Sequence, residues 1–160
     1  MNLDQLRAES ERALEVAKPV FDMLTRLPTG EYAALLEGLK PRPGDAALAF
    51  SGDAAAQLRP FYERLWATPP MALGVAPDQT ALRVAAATVD LLRVPNPVGD
   101  AFPGGYRRIV EMLVPGRVWV AWKYVRPGSA TGMAFDGLVF LDDHWAWFPK
   151  PWRGLRIPMN

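Results

Sequence analysis

With 160 residues, half of them hydrophobic and 22% charged, the sequence has the composition of one ordinary globular domain. A net charge of +1 excludes the marked basic excess of a bulk nucleic-acid binder, and the absence of cysteine excludes disulfides, thiolate catalysis and zinc–thiolate or iron–sulfur sites. No apolar run approaches the roughly 18–20 residues of a membrane span, and Met-Asn-Leu-Asp-Gln-Leu-Arg at the N-terminus lacks a secretory pattern, so a cytoplasmic protein is expected.

Residues 3–27 carry an apolar stripe at steps of three and four: Leu3, Leu6, Ser10, Ala13, Ala17, Val20, Leu24 and Leu27. This predicts an amphipathic helix. Pro19 lies inside it and predicts a kink or break near Ala17–Lys18. Thr29 can cap a second helix, Glu31–Leu39, which Pro41-Arg-Pro-Gly44 ends. Ala46–Phe50 reads as a short strand or a helical turn. Ser51 or Asp53 then caps a third helix to about Trp66, with Pro60 delaying its start. Ala81–Val94 alternates like a strand, although its alanines favour helix; the strand is preferred because Pro95-Asn-Pro97 follows. Val98–Gly105 reads as a loop.

The last third reads as an aromatic antiparallel meander. Arg108–Val114, Arg117–Arg126, Met133–Leu141 and His144–Phe148 are the expected strands, joined by short turns at Pro115-Gly116, Pro127–Gly132 and Asp142-Asp143. Period-two alternation puts Val118, Val120, Trp122 and Tyr124 on one face with Met133, Phe135, Val139 and Leu141. It leaves Trp119, Leu138 and Phe140 on the other face, where polar residues are the norm. A second cover is therefore expected there, either the C-terminal tail 149–160 or another subunit. In the tail, Pro149 and Pro151 favour an extended path. Trp152 and Arg153 are then either an anchor on the domain or part of a recognition surface.

Few residues could carry chemistry. His144 is the lone histidine, next to Asp143; alternation sends their side chains apart, so a solvated turn is expected in preference to a general base. Asp90, Glu111 and Asp136 are the acids within predicted strands, and one of them buried unpaired would be a candidate acid, base or ligand anchor. The pair Gly104-Gly105 before Arg107 and Arg108 reads as a bend more readily than as an anion site. The Gly-x-Ser-x-Gly, phosphate-loop and dinucleotide motifs are absent. Neither a metal nor a cofactor is implied.

Two or three helices followed by a curved aromatic meander, with Gly137–Phe148 closing through Asp-Asp-His-Trp, resemble the cone-shaped α+β domains of the nuclear-transport-factor-2-like superfamily, which includes polyketide-cyclase-like isomerases. The resemblance implies a single α+β domain, with helices over about 3–66 and a sheet over about 82–148. It carries no catalytic residue onto this chain.

Two functions follow as expectations. One is a non-catalytic domain acting through protein contact, as a homodimer or a partner-binding, immunity-like accessory protein, with Trp119, Leu138, Phe140, Trp152 and Arg153 at the interface. The other is a small-molecule pocket or an isomerase-like enzyme, with Trp122, Tyr124 and Phe135 around a ligand and one carboxylate or His144 acting on it. The first forty residues hold seven acids and five bases, and the last sixty hold eight bases and four acids. Attraction between the two halves is the simplest use of that split, and a basic patch for an acidic partner is the other. The arginine- and alanine-rich composition is that of a GC-rich bacterial genome.

Overall fold

A computed structural model of the chain describes residues 1–156. The elements are α1 (Leu3–Arg26), α2 (Tyr32–Leu39), α3 (Asp45–Ala49), α4 (Gly52–Ala67), β1 (Ala81–Thr88), α5 (Val89–Arg93), α6 (Pro97–Asp100), α7 (Gly105–Arg108), a 3-10 turn (Val110–Met112), β2 (Val118–Val125), β3 (Gly132–Phe140), β4 (Trp145–Trp147) and a closing 3-10 turn (Pro151–Gly154). Helices and a curved, open antiparallel sheet make an α+β fold.

A reciprocal cap starts α1. The Asn2 side chain accepts from the Gln5 N–H and the Gln5 side chain accepts from the Asn2 N–H, both at 2.8 Å. The break expected near Ala17–Lys18 does not occur, and the helix runs on through Pro19. Pro19 and Glu15, whose carbonyl loses its partner, are both exposed, so the loss falls on the wet side of the helix. Pro60 behaves alike: it is exposed, and α4 starts at Gly52 without delay.

Two expected strands are corrected. The strand beginning at Ala81 stops at Thr88, because the Thr88 hydroxyl accepts from the Leu91 N–H at 3.2 Å and opens a helical turn. Leu91 and Leu92 are both buried, which a strand with one wet face could not achieve at neighbouring positions. Arg108–Val114 is not a strand either. Its backbone donors are spent on short-range bonds, Met112 N to Ile109 O at 2.8 Å and Leu113 N to Val110 O at 3.2 Å. A single antiparallel bridge from Leu113 to Phe50 remains.

The sheet order is β1-β2-β3-β4, all antiparallel. Between β2 and β3 the register shifts: Ala121 faces Asp136 and Val120 faces Leu138, leaving Gly137 unmatched. Gly137 has φ +98°, a left-handed conformation suited to glycine, and a Cβ there would collide with the Phe148 carbonyl. One extra residue inverts the alternation. Leu138 and Phe140 therefore join Val120, Trp122, Phe135 and Trp147, while Val139 joins Trp119.

Each face has its own cover. On the first, α1 buries Ala13, Ala17, Val20 and Leu24, and the Tyr124 hydroxyl donates to the Leu24 carbonyl at 2.6 Å. Trp66 of α4 meets Trp147 edge-on. On the second, Trp119 is fully buried by Phe50 and Tyr106, with ring centroids 5.6 and 5.7 Å away, and Trp152 packs on Tyr106 at 5.3 Å. One continuous apolar core joins both layers.

Candidate functional site

The sequence candidates scatter. Asp90 lies on α5, not on a strand, where it is exposed and 3.9 Å from Arg93. Glu111 is exposed in the 3-10 turn and paired with the same arginine. Neither comes near Asp136 or His144 through any ion pair or hydrogen bond among the described residues.

Asp136 is buried beneath the tail. Its Oδ1 accepts from the Tyr106 hydroxyl at 2.7 Å and from the Lys150 backbone N–H at 2.9 Å, and its Oδ2 lies 3.4 Å from the Lys150 ammonium. Its carbonyl accepts from the Trp147 indole at 2.8 Å. Burial pushes the Tyr106 hydroxyl well above its ordinary range, and the neighbouring carboxylate adds to that. Tyr62 is shifted the same way and donates to the Pro149 carbonyl at 2.8 Å. Lys150 takes a left-handed backbone, φ 49° and ψ 58°, that aims both its N–H and its ammonium at the carboxylate. Strain of this kind persists only where the surroundings over-determine it. The cluster fastens the tail to the sheet and leaves Asp136 no free oxygen facing a cavity.

His144 is not the solvated turn residue that alternation predicts. Its Nδ1 lies 2.5 Å from Asp143, and its Nε2 lies 2.9 and 3.0 Å from the two oxygens of Asp45. Only 14% of the side chain is exposed. Both ring nitrogens face carboxylates, and a neutral ring has one N–H, so the geometry favours the imidazolium. Burial alone would lower its pKa; the hydrogen bonds from Asp143 and Asp45 outweigh that and raise it. The same contact holds Asp143 below the usual carboxylate range. Asp142 has φ 71°, and Asp143 and His144 lie in the bend that it opens, not on an extended strand. Asp45 carries no signal in the sequence, because its partner lies 99 residues away. With both nitrogens facing carboxylates of the chain, His144 is placed to hold the turn against α3.

Trp122, Tyr124 and Phe135 pack on one another and on α1, so no open cone surrounds them. The Tyr124 hydroxyl also accepts from the Trp122 indole at 3.2 Å, and burial pushes its pKa up to about 12. Phe135 borders an apolar space of about 320 Å³ between Tyr32, Leu36, Phe61 and Leu73, with Lys150 and Arg153 at its rim, and Trp122 and Phe135 both border a second cleft of about 620 Å³ beside Arg83, Phe102 and Lys123. The residues expected at an interface divide likewise. Trp119 and Leu138 are fully buried inside the chain and present no surface to a partner. Phe140 and Trp152 are half-buried, and Arg153 is exposed. Trp152 lies over Gly105, where a Cβ would collide with its indole, so the Gly104-Gly105 pair makes room for the tail.

The largest cleft is one the sequence did not point to. It has about 740 Å³ and lies between the Lys40–Gly44 turn and α4, with Tyr62, Trp66 and Phe148 on its floor and Lys40, Arg42, Arg59 and Glu63 on its walls. No group of three or more metal-ligating side chains occurs among the described residues, and no helix among them is long and apolar enough to cross a membrane. The chain matches no family model, and neither a curated protein nor a solved structure is significantly similar to it. The α+β architecture is compatible with a nuclear-transport-factor-2-like fold.

Proposed function

We propose that this chain is a non-catalytic, nuclear-transport-factor-2-like domain that works in the cytoplasm by binding another protein, in the manner of an accessory or immunity-like protein. One observation supports the reading most. Each candidate acid or base is either engaged in holding the fold, as Asp136 and His144 are, or exposed outside the cavities that bear aromatic rings, as Asp90 and Glu111 are. An enzyme of the cone type needs a converging polar group inside an apolar pocket, and none of these four groups lines the apolar space that remains on the helix side of the sheet. The partner-binding form is preferred to the homodimer, since Trp119 and Leu138 already have cover within one chain.

Photo-cross-linking in the native host tests this. A benzophenone amino acid replacing Glu63, on the cleft wall, is expected to trap a discrete protein. The same group replacing Glu11, on the exposed face of α1, is expected to trap none. Equal labelling at the two positions, or no protein adduct at Glu63, argues against the proposal.

A second reading rests on the 320 Å³ cavity, whose apolar lining and cationic rim would suit a small apolar carboxylate. Saturable stabilisation of the purified chain by a medium-chain fatty acid, lost on changing Leu36 to Trp, would favour it.

A further inference from the structure

We infer that the cleft between the Lys40–Gly44 turn and α4 receives an acidic, aromatic- or aliphatic-bearing peptide segment of a protein partner. The inference rests on the protein-contact reading and narrows it to one site and one chemistry.

The charges come first. Of the twelve arginines elsewhere in the chain, six have an acid within reach: Arg12, Arg26, Arg93, Arg107, Arg117 and Arg126. Lys40, Arg42 and Arg59 are exposed and form no ion pair among the described residues, although they share one cleft. Arg59 and Glu63 stand four residues apart on α4, the spacing of a helical ion pair, yet that pair is not made. The guanidinium therefore stays available to an incoming carboxylate.

The floor comes second. Tyr62, Trp66 and Phe148 are buried rings with an edge on the cleft, so an apolar side chain of the occupant would find contact between the flanking cations. Aromatic and arginine side chains together are the usual anchors of protein interfaces. Glu63 on the wall disfavours a uniform polyanion such as a nucleic-acid backbone, and it suits a segment in which acidic and apolar residues alternate.

The wall is also held in place before anything binds. The Asp45 carboxylate accepts from the Arg42 N–H at 2.8 Å and is pinned from behind by His144, while Gly44 turns at φ +93°. Proline at 41 and 43 restricts the same turn further. A preformed wall spends less of the binding free energy on ordering.

Nuclear magnetic resonance titration tests the inference with a short synthetic peptide of alternating glutamate and leucine or phenylalanine, set against the analogue with glutamine at every glutamate. The acidic peptide is expected to shift the Trp66 indole and the amides of Arg42, Arg59 and Glu63, and to bind less as salt is added. The glutamine analogue, and the R42E/R59E double variant facing the acidic peptide, are expected to bind at least about tenfold more weakly. The double variant must keep the wild-type spectrum outside the cleft; if it does not, K40E and R59E are scored singly by the same shifts. No response at millimolar peptide, an equal response to the glutamine analogue, or shifts centred elsewhere overturns the inference. Failure of the peptide alongside a retained cross-link at position 63 removes the acidic occupant alone. Failure of both removes the protein-contact reading as well.

Discussion

His144 joins two parts of the chain through one ring: its own turn, through Asp143, and the start of α3, through Asp45. Its folded pKa is raised above the ordinary value of about 6.5. The stability it contributes is therefore fully present below that value and is lost as pH rises through the folded pKa. The charged groups that face it are Asp143, Asp45 and, opposing them, Arg42. H144Q is expected to lower the urea midpoint most at mildly acidic pH, with the gap to wild type narrowing as pH is raised. A gap that stays constant across the neutral range would mean that the ring acts by packing and not by charge. Adjacent side chains on an extended chain diverge, so the sequence argues against an Asp143–His144 contact. Residues 142–144 form a bend and not an extended stretch, so that rule does not apply, and no pattern in the residues announces it. Asp136 shows the complementary case. Its burial within a strand is anticipated as a cost that demands partners, but the partners arrive from Tyr106 and Lys150, 30 and 14 residues away.

At the scale of elements, the sheet is governed by Gly137. The alternation of β2 is legible because nothing interrupts it; that of β3 is legible only up to Asp136, because a bulge adds one residue without changing composition. Leu138 and Phe140 thereby change layers, which is why they read as a surplus apolar face when they are not. G137A should cost about 2–4 kcal/mol in denaturant-derived stability, from the left-handed backbone and the clash with the Phe148 carbonyl together. A cost near zero would mean that the bulge can relax at no expense. The helices divide along a similar line. Periodicity finds α1, α2 and α4, whereas α5 and α7 are single turns made by a threonine cap and a glycine pair, too short to have a period.

At the scale of the whole molecule, the chain itself covers much of both sheet faces, with a cleft of about 620 Å³ left beside Arg83, Lys123 and Ala134. α1 and the Trp66 side chain take one, and Phe50, Tyr106 and Trp152 take the other. The most exposed large apolar side chains among the described residues, Met71 at 96% and Leu3 at 81%, lie apart, one in the loop after α4 and one at the start of α1. Single exposed residues of this kind do not make an interface. Light scattering of the isolated chain is expected to give a monomer at micromolar concentration. A stable dimer would instead point to self-association through some surface other than the Trp119 face. The cleft with its unpaired cations is the feature that sequence reading could not locate. Lys40 and Arg42 are separated from Arg59 by a breaker and a helix start, and only the packing of α4 against the Lys40–Gly44 turn brings them together.

Trp152 over Gly105 has a consequence for how the protein is made. All four strands have been synthesised once Trp147 has emerged, yet the Asp136 carboxylate and the Tyr106 ring still lack Lys150 and Trp152. A nascent chain that had released Trp147 but not Trp152 would carry the Asp136 carboxylate without Lys150 and the Tyr106 ring without its indole partner. That interval is when chaperones or proteases have the most to recognise.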